Sequence, residues 1–164
     1  GSTLAQLPVL MRNVEEGKGR KLVNTTAEGG DYFRTPRRGR GLAAGDLDDD
    51  GRPDLVVTQN AGETRLYRNQ AAAPGLRILL RGPAGNPSAI GAQVRLRSGT
   101  ATGPVHELHA GSGYLSQDST TVISTAPKDG SVLEVRWPGG ERQSFPVPAG
   151  SQSVEVGKDG LRPR

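Results

Sequence analysis

The 164-residue chain contains no cysteine. A disulfide framework and thiolate-bound metals are therefore excluded. Export is not, because a metal ion can take over the stapling role of disulfides outside the cell. No apolar run approaches the roughly 20 residues that a membrane-spanning helix needs. Aromatic residues make up 4% of the chain, too few to supply the stacking platforms that nucleic-acid binding beside a basic stretch requires, so no nucleic-acid partner is expected. Long helix-forming stretches are scarce as well. Turn residues are abundant instead: 24 Gly and 12 Pro punctuate short β-branched and alternating segments, the pattern of an all-β protein with many turns. The length allows one or two domains with cores of their own. Gly1-Ser2 has the look of an expression-vector remnant, so the native N-terminus and any signal peptide are expected to lie upstream.

Negative charge is concentrated at Asp46-Leu47-Asp48-Asp49-Asp50-Gly51-Arg52-Pro53-Asp54. Carboxylates at loop positions 1, 3 and 5, a glycine that lets the backbone reverse, and an acid at position 9 read as a calcium loop. Ca²⁺ takes roughly 6–8 oxygen ligands. The predicted set is the side chains of Asp46, Asp48, Asp50 and Asp54 and the carbonyl of Arg52, completed by water, with Asp49 left in solvent. An EF-hand is excluded because position 12 is Val57 rather than a bidentate Glu, and because Gly41–Gly45 is too short and glycine-rich for an entering helix. The run Leu55-Val56-Val57-Thr58 is strand-like. The loop is thus expected at the turn of a strand–loop–strand hairpin, the alternative being an acidic turn that holds no metal.

The formal net charge of +4 conceals a basic cluster, Arg34, Arg37, Arg38 and Arg40, just ahead of the acids. Such a cluster can grip phosphate or sulfated sugar. The plainer reading is a solvated loop that balances the neighbouring aspartates. Leu10-Met11-Arg12-Asn13 recurs as Leu66-Tyr67-Arg68-Asn69, at an interval not far from the roughly 40–50 residues of a propeller blade.

Together, Arg40-Gly41-Leu42-Ala43-Ala44-Gly45-Asp46, the aspartate loop, Leu55-Val56-Val57 and Leu66-Tyr67-Arg68-Asn69 resemble an FG-GAP (VCBS) repeat, the calcium-binding blade of integrin-like propellers. Residues 1–70 then look like the tail of one blade followed by one more, a fragment of a larger propeller. Gln70-Ala71-Ala72-Ala73-Pro74-Gly75 breaks the pattern, and a linker is placed at 71–75. Beyond it, alternation at Leu76–Arg81, Val94–Arg97 and Leu133–Trp137 is the period of half-buried strands. Further strands are expected at Val105–Ala110, Thr120–Ser124, Glu141–Val147 and Ser153–Val156. They suggest an antiparallel sandwich or partly closed barrel over residues 76–157 with Trp137 buried in it, and a flexible tail at 158–164.

This second half resembles the ASPIC/UnbV domain through Ala89-Ile90-Gly91-Ala92-Gln93-Val94, Gly111-Ser112-Gly113-Tyr114-Leu115-Ser116-Gln117 and Val135-Arg136-Trp137-Pro138-Gly139-Gly140. That domain follows FG-GAP repeats in the cartilage acidic protein family and in bacterial exported proteins. The resemblance implies an extracellular or periplasmic location. Where the family continues with a His-Phe-Gly-Leu-Gly type motif, this chain has Thr121-Val122-Ile123-Ser124-Thr125-Ala126, so no role of that motif carries over.

Catalytic arrangements are hard to assemble. Val105-His106-Glu107-Leu108-His109 lacks the spacing of a zincin helix, and two histidines three apart on a strand face opposite ways. Ser112 between glycines is not a nucleophile elbow. Tyr114 and Gln117 are the candidates for a ligand surface. The expected function is a non-enzymatic, calcium-binding extracellular interaction or adhesion module with a protein or glycan partner. The alternative is the recognition region of an exported carbohydrate-processing enzyme system. An incomplete propeller leaves sheet faces uncovered, so residues 1–70 are expected to pack on the second domain or to self-associate.

Overall fold

The computed structural model describes residues 4–113 and 116–164. Strands β1 (Met11–Glu16) and β2 (Gly19–Asn24) pair as an antiparallel hairpin of their own. Two short 3-10 turns, Thr26–Glu28 and Asp31–Arg34, lead into β3 (Gly39–Gly45), β4 (Asp54–Gln59) and β5 (Gly62–Tyr67). These three form an antiparallel sheet in the order β3-β4-β5. The pair Gly45↔Asp54 closes the β3–β4 ladder, so the aspartate loop sits at the hairpin turn, as its flanking residues require. The sequence echo is not a structural equivalence in register: Met11-Arg12-Asn13 opens β1, whereas Leu66-Tyr67 ends β5.

The second half contains β6 (Leu76–Arg81), β7 (Gln93–Ser98), β8 (Ala101–Thr102), β9 (His106–Glu107), β10 (Val122–Ser124), β11 (Ser131–Arg136), β12 (Arg142–Pro146), β13 (Ser153–Gly157) and β14 (Gly160–Pro163). One sheet runs β10-β6-β13-β14; the other runs β12-β11-β7-β8, with β9 also on β7. Alternate residues of both sheets point into one shared core. Leu76, Ile78, Leu80, Val154 and Val156 come from the first sheet, and Val94, Leu96, Leu133 and Val135 from the second. Each fully buried Val, Leu or Ile contributes about 1.5–3 kcal/mol relative to exposure. Trp137 is buried among them, and its indole Nε1 donates to Gln143 Oε1 at 2.6 Å, which removes the cost of an orphaned N–H. The architecture is an all-β partial blade followed by a sandwich, not a closed barrel.

Three expectations need correction. The sheet of β6 is mixed, because β13 pairs β6 in parallel. Residues 160–163 are a strand rather than a flexible tail: β14 pairs β13, and Leu161 packs against the core. The strands expected over 105–110 and 120–124 shorten to His106–Glu107 and Val122–Ser124.

The blade has little core of its own. Among its described residues Val57 is the buried apolar side chain, with Thr25 and Asp54 the buried polar ones, while Leu42, Leu55 and Leu66 are exposed. It is joined to the sandwich through backbone. Gly75 N–H donates to Gly51 O at 2.8 Å and Ser119 N–H to Ala44 O at 2.9 Å, and the Asp118 carboxylate accepts from Ala44 N–H at 2.7 Å. Residues 1–70 therefore touch the second domain at the loop end of the blade, while Leu42, Leu55 and Leu66 of the blade sheet stay exposed.

Candidate metal centre

The aspartate loop is shaped by its own backbone before any ligand is considered. Asp46 Oδ1 accepts from Asp50 N–H at 3.0 Å and its Oδ2 from Gly51 N–H at 2.9 Å. Asp50 Oδ1 in turn accepts from Arg52 N–H at 2.9 Å. Asp49 and Gly51 both take positive φ, 61° and 79°, which turns the chain sharply enough for Asp46, Asp48 and Asp50 to converge. One carboxylate oxygen from each of the three lies within 4.8 Å of the others. Oxygens bound at 2.3–2.6 Å to a common Ca²⁺ stand at most about 5 Å apart, so a single ion can reach all three. The donor set, hard carboxylate oxygen throughout, also matches what calcium takes.

Asp54, the fourth predicted side-chain ligand, is buried, but its Oδ2 accepts from Leu47 N–H at 3.1 Å and its Oδ1 from Asn69 N–H at 2.8 Å. It ties the loop to the end of β5 and stands apart from the three-carboxylate group. Arg52, predicted for its carbonyl, also brings its side chain: Nη1 pairs with Asp50 Oδ2 at 2.8 Å, and Nε donates to Ala72 O at 2.5 Å.

Two further arginines meet the same oxygens. Arg68 Nε pairs with Asp48 Oδ2, and its Nη2 lies 3.7 Å from Asp50 Oδ2. Arg77, the second residue of β6, brings its Nε to 2.7 Å from Asp46 Oδ2 and its Nη2 against Asp49. The Arg77 Nε contact is an ion pair whose N–H is not directed at an acceptor. Asp49 is thus exposed, as expected, yet paired. The carboxylate of Asp50 feels burial, which works to raise its pKa. Hydrogen bonds and charge from Arg52, with a smaller pull from Arg68, outweigh that and hold it below the usual carboxylate range. Arg52, Arg68 and Arg77 are thus cations that balance the loop, and two arginines of the basic cluster upstream are engaged elsewhere. Arg34 pairs with Asp31, and Arg37 stacks 5.1 Å over the Tyr32 ring.

Comparison with known families follows this division. Residues 38–67 match the FG-GAP repeat model, and residues 82–162 match the model of ASPIC and UnbV. The chain joins an FG-GAP repeat to an ASPIC/UnbV domain. No curated protein matches it. The FG-GAP match covers β3, β4, β5 and the aspartate loop, and Arg77 lies between the two matched regions.

In the ASPIC/UnbV domain, described residues of the signature segments make hydrogen bonds that brace its turns. Asn86 holds the Ala89-Ile90-Gly91-Ala92 turn by exchanging two 2.9 Å bonds with the Ile90 backbone, and Trp137 N–H bonds to Glu141 O across the β11–β12 turn at 2.8 Å. Gln117 donates from Nε2 to His109 O and Asp118 O, and its Oε1 accepts from Gly111 N–H. Its amide is committed to its own loop. Tyr114, its proposed companion, lies outside the described residues. His106 and His109 do not converge: His109 leans toward Glu107, 3.6 Å away, while His106 is half-buried.

Burial lowers the His106 pKa from the ordinary 6.5. In that case the unfolded chain takes up this proton first as pH falls, so the contribution is present above pH 6.5 and is lost below it, down to the folded value. Urea midpoints measured between about pH 8 and about pH 5 should fall on the acid side, and His106→Asn should flatten that segment of the profile. An unchanged profile in the variant would assign the fall to other groups.

Proposed function

We propose that the chain is a calcium-stabilised, non-enzymatic interaction module of an exported protein, in which the ion sets the hairpin turn and the turn holds the FG-GAP blade against the ASPIC/UnbV domain. The observation that carries this reading is the convergence of Asp46, Asp48 and Asp50 on a loop whose far side touches Gly75 and Arg77. Asp46, Asp48 and Asp50 hold the ion, with the Arg52 carbonyl as the further ligand the loop spacing offers, while Asp54 braces the loop from outside the group. The chemistry supplied is charge neutralisation and cross-linking of the turn. An adhesive role draws support from the blade surface. Leu7, Leu10, Phe33, Leu42 and Leu55 border an open apolar groove of about 440 Å³, a surface suited to a protein partner. Among the described residues no helix is long and apolar enough to cross a membrane.

Calcium at this site competes with Arg68 for Asp48. Calorimetric titration of the chain with CaCl₂ is expected to give one saturable site per chain, and Asp48→Ala to abolish most of the heat. Arg68→Gln should tighten binding by roughly two- to fivefold, since an exposed ion pair is worth about 0–1 kcal/mol. Absence of saturable heat from the unmodified chain would end the proposal.

A further inference from the structure

The outer face of the β12-β11-β7 sheet carries an unbalanced group of arginines, remote in sequence from the aspartate loop. Residues alternate across these strands, so the core side takes Val94, Leu96, Leu133 and Val135, and the solvent side takes Gln93, Arg95 and Arg97 from β7. Glu134 and Arg136 of β11 and Arg142 and Ser144 of β12 share that side. Arg95 and Arg97 share the single carboxylate of Glu134, at 2.8 and 2.9 Å, so the trio keeps one net positive charge. These two bonds hold the Glu134 carboxyl below its ordinary value. Gln93 Nε2 occupies Glu107 at 2.9 Å, and the nearby acid of the β11–β12 turn, Glu141, is taken by Lys158 at 2.6 Å.

Arg136 and Arg142 remain. They are direct cross-strand partners in the β11–β12 register, which sets their backbones roughly 4.5–5.5 Å apart with both side chains on one face. Like charges directly opposite each other are destabilising. Neither has an ion-pair partner among the described residues. Both line an open depression of about 350 Å³, floored by Gln93, Arg95, Glu134 and Ser144.

We propose that Arg136 and Arg142, with Ser144 beside them, form a binding site for a phosphate or sulfate group. A tetrahedral oxyanion offers two edges to two guanidinium forks, and each fork makes paired charge-assisted hydrogen bonds. The anion removes the Arg136–Arg142 repulsion that the empty register imposes. Two of the neighbouring acids do not oppose it, because Glu134 is outweighed by Arg95 and Arg97 and Glu141 is paired with Lys158. The depression is open, so the group can be the terminus of a larger molecule that extends into solvent.

The test is an NMR titration of the ¹⁵N-labelled full chain with inorganic phosphate and, separately, inorganic sulfate, each against sodium chloride at equal ionic strength. Saturable shifts are expected at millimolar anion, confined to β11, β12 and Gln93, and the stronger of the two responses identifies the preferred group. Arg136→Gln and Arg142→Gln should each weaken the response by about tenfold, the effect of losing charge-assisted hydrogen bonds. Without anion, each variant should melt no lower than the unmodified chain, because the like-charge pair is gone. Shifts equal to those in chloride, or unchanged in Arg136→Gln, would overturn the site.

Discussion

Gly75→Ala is expected to destabilise the chain by about 2–4 kcal/mol, through overpacking and a lost backbone hydrogen bond. A Cβ at position 75 would lie 2.0 Å from Ser124 O and 3.0 Å from Ile123 Cγ2, atoms of β10 that the β10–β6 ladder holds in place beside Leu76. Moving the backbone away to relieve the clash breaks the Gly75 N–H bond to Gly51 O. Gly51 faces the same gap from the other side: its φ of 79° is left-handed, and a Cβ there would meet Gly75 O at 3.0 Å. Urea unfolding of the full chain measures the loss. A change below about 0.5 kcal/mol, the range of ordinary surface substitutions, would show that the Gly51–Gly75 contact does not join the two halves.

Asp46→Ala should cost about 3–5 kcal/mol, the range for removing one partner of a buried charge pair. The Asp46 side chain is fully buried, whereas the Arg77 side chain retains 21% of its exposure. Loss of Asp46 leaves the Arg77 guanidinium with the exposed Asp49 carboxylate and takes the acceptor from the Asp50 and Gly51 N–H groups. Asp49→Ala removes the other Arg77 contact from a carboxylate that is 72% exposed, so solvent screening limits its cost to less than about 1 kcal/mol. A double-mutant cycle of Asp46→Ala with Arg77→Ala should return a coupling of about 1–3 kcal/mol. Near-zero coupling would mean that the arginine of the sandwich and the loop of the blade act independently.

Local pattern made the blade hairpin and its carboxylates legible, because both are written within a few residues. Alternating aspartates before a glycine dictate a turn, and the β-branched run after them dictates a strand. The same reading could not tell that Asp54 would spend its oxygens on Leu47 and Asn69, since the Asn69 N–H arrives only when β5 folds back on β4. Arg77 was readable as the polar face of β6, opposite Leu76 and Ile78, but not as the ion-pair partner of Asp46, because that depends on how the sandwich sits against the loop. The parallel β6–β13 pairing is hidden for a similar reason: alternation sets which face a side chain takes and says nothing of strand direction. Gly160-Leu161-Arg162-Pro163 offers one apolar residue between a glycine and a proline, too short a signal for a strand that exists because β13 presents it an edge.

Thermal melts of the full chain in chelator and in millimolar calcium address the central claim most directly. Calcium at 100 times its dissociation constant stabilises a folded state that alone binds it by about 2.7 kcal/mol, roughly 5–10 °C for a chain of this size. That rise is the predicted result, with Asp50→Ala losing most of it. Equal melting temperatures in the two buffers would contradict the account and leave Asp46, Asp48 and Asp50 as an acidic turn held by arginines alone.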